Sequence, residues 1–254
     1  MRVPEGFVAV SGVGARGFAR PEAADWVRAT LSRWGTLTRA SRHEPDALAF
    51  TGRGTVRAVP APGGDGRWVV RRYLRGGLVA RLLDDRYLRR GSPRPLRETR
   101  ASEAARARGI PTPAVMAGVT YPSGAWYRAD LVTRYVPDSI DLADFLFRRG
   151  RPGSALSADH RAEALRQAGH LARALADAGI YHPDLNARNF LVVEGGSELQ
   201  VLDLDRGRAV SGPIPLAPMA ARLTRSLRKF ETTTGVALGE GAWAAFRDAT
   251  GDDA

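Results

Sequence analysis

Apolar positions recur at two different periods along the chain. In the first half they come as short runs bounded by glycine and proline. Arg67-Trp68-Val69-Val70-Arg71-Arg72-Tyr73 reads as a strand. The Pro/Gly-rich stretch Pro60–Gly66 joins it to an earlier run beyond the glycine turn Gly52-Arg53-Gly54-Thr55-Val56. This is the pattern of a β-hairpin with a longer loop. Ser92-Pro93 opens a helix that Gly109 and Pro111 close. Tyr127–Val136 reads as another strand, ending at Pro137. Asp141 then caps a short helix, Leu142–Arg149, closed by Gly150. From Ser157 the period changes: Leu165, Ala168, Ala172 and Leu175 recur at helical spacing until Gly179. Short strands come next, around Asn189–Val193 and Leu199–Leu202, then helices over Ala217–Phe230 and Ala242–Ala249. Residues 1–45 show little pattern beyond a helix around Ala23–Trp34. Strands dominate before Arg134–Pro137 and helices after it. The expected fold is therefore α+β in two lobes, a strand-rich 1–134 and a mainly helical 135–254.

Composition narrows the chemistry. In 254 residues there is no cysteine, which excludes disulfide scaffolds, thiolate zinc sites and thiol nucleophiles. The four histidines, His43, His160, His170 and His182, are too scattered for a histidine metal cluster. Lys+Arg is 38 against Asp+Glu 27, and Lys229 is the single lysine. The resulting charge of +11 favours anionic partners such as nucleotides, phosphorylated sugars or an acidic membrane face. No apolar run approaches the roughly 18 residues of a membrane span. The start of the chain makes a poor secretory signal. A cytosolic or peripheral protein is expected.

One segment carries specific chemistry. Tyr181-His182-Pro183-Asp184-Leu185-Asn186-Ala187-Arg188-Asn189, with Val201-Leu202-Asp203-Leu204-Asp205 downstream, resembles the catalytic loop of protein kinases and its metal-binding aspartate. In that logic Asp184 accepts the proton of an attacking hydroxyl. Asn189 and Asp203 hold Mg²⁺ against the phosphates of ATP, and Asp205 adds a second carboxylate. His182 braces the loop rather than acting as a base. Upstream, Gly52, Arg53 and Gly54 supply a turn over the phosphates. Arg71 stands where protein kinases carry lysine, with Glu98 as its helical partner. Pro183 replaces the arginine that reads a phosphorylated activation loop. Fifty-one residues come after Asp203, too few for a peptide-binding platform. A small or lipid-linked acceptor is expected.

Longer pieces point further. Val70-Arg71-Arg72-Tyr73-Leu74-Arg75-Gly76-Gly77, Arg94-Pro95-Leu96-Arg97-Glu98, Gly109-Ile110-Pro111-Thr112-Pro113 and Tyr127-Arg128-Ala129-Asp130-Leu131 come in order. The catalytic-loop segment, Asp203-Leu204-Asp205-Arg206 and Arg222-Leu223-Thr224-Arg225-Ser226-Leu227 complete the series. From Gly52 to Lys229 the chain resembles the bacterial lipopolysaccharide kinases, in particular those acting on 3-deoxy-D-manno-octulosonic acid (Kdo); residues 1–45 match poorly. The resemblance implies a bilobal protein-kinase-like fold. It also implies ATP- and Mg²⁺-dependent phosphorylation of a Kdo hydroxyl, the 4-position, on a lipid A precursor. The implied location is the cytoplasmic face of the inner membrane, with peripheral attachment to its anionic surface. No nucleic acid and no obligate protein partner are implied. Arg75, Arg81, Arg86, Arg89 and Arg90 are the densest basic stretch and the candidate contacts to acceptor or membrane. Other readings are a kinase of core heptose or an antibiotic-like acceptor, a catalytically silent kinase fold, and a nucleic-acid binder resting on charge alone.

Overall fold

The structure, a computed structural model, describes residues 2–50, 56–64, 66–74, 85–148, 156–193 and 198–251. The chain divides into two compact units. One holds Met1–Arg100 with Ala114–Tyr135, the other Ala101–Pro113 with Val136–Ala254.

The first unit is built on an antiparallel sheet. Its strands are β1 (Val8–Gly12), β2 (Ala15–Ala19), β3 (Leu48–Phe50), β4 (Val56–Pro60), β5 (Arg67–Arg72), β6 (Tyr87–Leu88), β7 (Val115–Ser123) and β8 (Trp126–Arg134). Among the described residues they run in the order β1-β2-β7-β8-β5-β4-β3, with β6 paired to β8. Helices α1 (Pro21–Trp34) and α2 (Leu37–Arg42) come after β2. Pro21 sits at the start of α1, where its missing N–H costs nothing. Val27 and Leu31 of α1 are buried together with Val10, Val70, Met116, Val119 and Val132 of the sheet.

Residues 1–45, expected to carry little more than one helix, thus supply two strands and two helices to this core. Strand β7 was also not expected. Its residues Val115–Thr120 are all buried, so the alternation that marks a half-exposed strand is missing. The junction of β2 and β7 requires glycine. A Cβ on Gly17 would lie 2.3 Å from the Gly118 carbonyl oxygen, and one on Gly118 would lie 2.5 Å from the Phe18 ring.

One buried carboxylate ties α2 to the sheet. Asp130, on β8, accepts from the Thr38 N–H at 2.9 Å, the Thr38 hydroxyl at 2.7 Å and the Tyr121 hydroxyl at 2.8 Å. The Tyr121 oxygen in turn accepts from the Leu37 N–H at 3.0 Å. Two unsatisfied donors at the start of α2 are thereby met by side chains of the sheet. Burial nonetheless pushes the Asp130 carboxyl above its ordinary pKa, against the Thr38 and Tyr121 hydrogen bonds and the Arg72 charge that lower it.

The helix α3 (Arg94–Ala107) carries residues of both units. Its Ala101 and Ala105 lie in the core of the second, and the Pro111 carbonyl accepts from the Val201 N–H at 2.9 Å. At the centre of that unit runs α4 (Ala158–Asp177), capped by the Ser157 hydroxyl, which accepts from the His160 N–H. A glycine at position 169 lets it approach the last helix closely, since a Cβ there would lie 2.7 Å from that of Ala249. Strands β9 (Ser139–Asp141), β11 (Phe190–Val193) and β12 (Leu199–Val201) form a small sheet, and β10 (Ile180–Tyr181) pairs with β13 (Arg208–Ala209). Helices α5 (Ala217–Thr234) and α6 (Glu240–Thr250) complete the unit. Asp141 acts as the expected cap, accepting from the Asp144 N–H at 2.8 Å. The turn it opens is π-helical over Asp144–Arg148, not α-helical.

Candidate active site

In the first unit, strand alternation separates two adjacent arginines. Arg71 pairs with Glu98 of α3, Nη2 to Oε1 at 2.5 Å, while Arg72 pairs with the buried Asp85. Glu98 is only 4% exposed, and its second oxygen accepts from the Tyr73 hydroxyl. The Arg71 guanidinium also lies 5.0 Å from the centroid of the Tyr73 ring. Such a carboxylate, buried and bonded through both oxygens, fixes the arginine's fork. A planar fork can hold a carboxylate on one edge and present another edge to phosphate oxygens. Gly52, Arg53 and Gly54 lie outside the described residues; the strands on either side of them pair, Phe50 with Val56.

In the second unit, strand register brings together the loop residues singled out from the sequence. Phe190 pairs with Val201, and the Leu202 N–H donates to the Asn189 carbonyl at 2.8 Å. Asn189, immediately before β11, therefore lies opposite Leu202, which immediately follows β12 and precedes Asp203. Asp203 has φ 61° and ψ 50°, a left-handed conformation uncommon outside glycine. The Asn189 side chain donates through Nδ2 to the Asp184 carbonyl at 3.0 Å, and Asn186 donates to the same oxygen at 2.7 Å. With its nitrogen so committed, the amide oxygen of Asn189 is the atom left for a cation. Asp205 is buried in the turn Leu204–Arg206.

His182 is 1% exposed, and its Nε2 lies 3.0 Å from the Leu202 carbonyl, to which it donates. Burial pushes its pKa down, against the hydrogen bond to Leu202 and the charges of Asp203, Asp184 and Asp205. The ring is a neutral brace between the loop and the strand that leads to Asp203.

The donors gathered here suit magnesium. Asn189, Asp203 and Asp205 offer hard oxygens. Among the described residues no three His, Cys, Asp or Glu side chains group into a preformed cage. A cation that takes one or two carboxylates and completes its shell with water and phosphate oxygens needs no such cage.

Several residues around the loop were not singled out as site residues from sequence. Arg222 and Arg206 each reach the Asp184 carboxylate, at 3.0 Å and 2.9 Å. Ser226, one turn beyond Arg222 on α5, accepts from the Ala187 N–H at 3.2 Å. Met219, one turn before Arg222, accepts from the His182 N–H through its sulfur at 3.3 Å. Arg188 pairs with Asp141 at 2.8 Å. The sequence signal was the Met219, Arg222, Ser226 spacing, which puts all three on one helical face. Of the basic stretch, Arg75 and Arg81 lie outside the described residues, while Arg86, Arg89 and Arg90 are exposed around β6.

The chain as a whole is similar to known proteins. A profile described as "Lipopolysaccharide kinase (Kdo/WaaP) family" matches residues 49–214. The chain is 38% identical over 160 residues to the 3-deoxy-D-manno-octulosonic acid kinase of Xanthomonas oryzae pv. oryzae, a match covering 61% of this chain and 58% of that protein. It is 35% identical over 179 residues to the enzyme of the same name from Actinobacillus succinogenes, covering 68% and 71%. Against the Xanthomonas protein the match thus spans less than two thirds of the relative's length. Among solved structures, one described as WaaP in complex with acyl carrier protein is similar in fold, with TM-score 0.52 and 16% identity, covering 88% of this chain and 86% of the other.

Proposed function

Because the chain belongs to the lipopolysaccharide kinase (Kdo/WaaP) family, we propose that it transfers the γ-phosphoryl group of ATP to a hydroxyl of Kdo, the 4-hydroxyl, on a lipid A precursor. The hydroxyl oxygen attacks the γ-phosphorus and the bond to the β-phosphate oxygen breaks. ADP leaves, and the hydroxyl proton passes to Asp184. Arg71, held by Glu98, binds donor phosphates. Asn189 and Asp203, with Asp205 beside them, would hold Mg²⁺, which when bound neutralises phosphate charge. The observation that carries this reading is the strand register setting Asn189 opposite Leu202, beside Asp203, with Asn189 also tied to the Asp184 carbonyl.

The test is product analysis. Incubation with ATP and a panel of Kdo, heptose and lipid-linked acceptors should give a mass gain of one phosphate on the Kdo acceptor, and fragmentation should place it on the 4-hydroxyl. Transfer to heptose alone would replace the acceptor assigned here. No helix of the described residues is long and apolar enough to cross a membrane. The exposed Arg86, Arg89 and Arg90 suit peripheral contact with anionic lipid.

Two results are expected of the metal- and phosphate-binding residues. Asn189→Ala and Asp203→Asn should each raise the Mg²⁺ concentration for half-maximal turnover by about 10-fold or more. Magnesium titrations of initial rate check this, and an unchanged half-maximum would remove that residue from the site. Arg71→Ala and Glu98→Ala should not add, because either change dissolves the same pair. A double-mutant cycle on kcat/KM for ATP should return a coupling of about 0.5–3 kcal/mol. Simple additivity would mean the two do not act together.

A further inference from the structure

Both oxygens of the Asp184 carboxylate are engaged by arginine. Arg222 Nη2 lies 3.0 Å from Oδ1, and Arg206 Nη1 lies 2.9 Å from Oδ2. They come from different elements, Arg206 from the turn after Asp203 and Arg222 from α5. Fold stability does not explain them. The Asp184 side chain is 34% exposed, that of Arg206 61% and that of Arg222 45%. Ion pairs this open to water contribute about 0–1 kcal/mol. Nor does the metal: the nearby carboxylates Asp203 and Asp205 are already assigned to it. Two guanidiniums thus converge on the one carboxylate that must meet the acceptor hydroxyl.

We propose that Arg206 and Arg222 form the recognition site for a carboxylate on the acceptor sugar itself, bound beside the base in exchange for part of their contact with Asp184. The inference rests on the phosphotransfer reading above and adds the residues that would recognise the acceptor, through a carboxylate on the same sugar as the reacting hydroxyl. Guanidinium forks match carboxylates in shape and charge. Exposed, flexible arginines can turn from Asp184 to an incoming carboxylate, which releases an Asp184 oxygen to face the hydroxyl. Phosphates on the lipid portion lie beyond the reacting sugar, so they are the poorer match for arginines that touch the base. Both residues are specificity residues in this scheme, and the proton still goes to Asp184.

The experiment compares three acceptors with the full-length wild type: a Kdo-bearing lipid A precursor, its Kdo C1-carboxamide, and the same precursor without lipid phosphates. The carboxamide should raise acceptor KM by about tenfold or more with a smaller change in kcat, and loss of lipid phosphates should change KM much less. In the double variant Arg206→Gln/Arg222→Gln, KM for acid and carboxamide should converge, and Arg222→Lys should retain part of the preference. Equal KM for acid and carboxamide in the wild type would overturn the proposal, and that arm needs no variant to fold. A preference that survives in the double variant, or that tracks the lipid phosphates, would overturn it too. Failure of the wild type to phosphorylate any of the three would overturn the phosphotransfer reading and this inference with it, so the two failures are distinguishable.

Discussion

Asp184→Asn is expected to lower kcat by about 10²–10⁴, the usual range for loss of a general base. Asparagine keeps the size of the side chain but cannot accept the hydroxyl proton. The loop around it should persist, because Asn186 and Asn189 bond to the main-chain carbonyl of Asp184, which the substitution leaves in place. The Arg206 and Arg222 contacts will weaken, and at their exposure that costs little stability. The loss should therefore fall on turnover, with KM for ATP and the melting temperature nearly unchanged. Steady-state kinetics beside a thermal melt checks this. Near-normal kcat would remove Asp184 from the role of base.

A second large effect is expected at a residue given no role in the chemistry. Asp130→Ala leaves the Thr38 N–H, the Thr38 hydroxyl and the Tyr121 hydroxyl without their buried acceptor. It should destabilise the fold by about 3–5 kcal/mol, because several buried donors lose their partner and each costs about 1–3 kcal/mol. Asp130→Asn should behave differently. An amide oxygen can accept from Thr38 and Tyr121 while the amide nitrogen donates to the Thr38 hydroxyl, and no buried charge remains. The pKa direction fixes the pH dependence. The folded-state pKa of Asp130 is raised, so its contribution is fully present below the unfolded value of about 3.9 and is lost as pH rises through the folded value. Relative to wild type, Asp130→Asn should gain stability as pH rises through that window. Urea unfolding of both proteins from about pH 4 to pH 8 measures the gap. A gap that narrows with rising pH would contradict the assigned direction.

The proposed catalytic loop could be read as a candidate because its residues are local. Asp184, Asn189 and Asp203 fall within one stretch whose spacing comes from a loop, a strand, a turn and a strand. Arg71 and Glu98 were legible by their place on a strand and on a helix, though 26 intervening residues separate them. The Asp184 clamp was not, because Arg206 and Arg222 approach it from separate elements and sequence spacing does not report that meeting. The N-terminal strands were hidden for another reason. Residues 1–45 hold no motif, and β1 and β2 take meaning from pairing with β7, itself a continuous buried run with no readable period. Alternation marks a strand with one wet face, and the centre of this sheet has few of those.

The left-handed backbone at Asp203 means that the fold and the proposed reaction want different residues at this position. Glycine fits that conformation without strain and asparagine tolerates it well, yet neither brings the carboxylate. A mutational survey scored by protein abundance would rank both replacements as harmless at 203, and one scored by phosphorylated product would rank them as strongly impaired. Where two such maps disagree at a left-handed turn, the residue is being kept for its chemistry, and position 203 is where that disagreement should be widest.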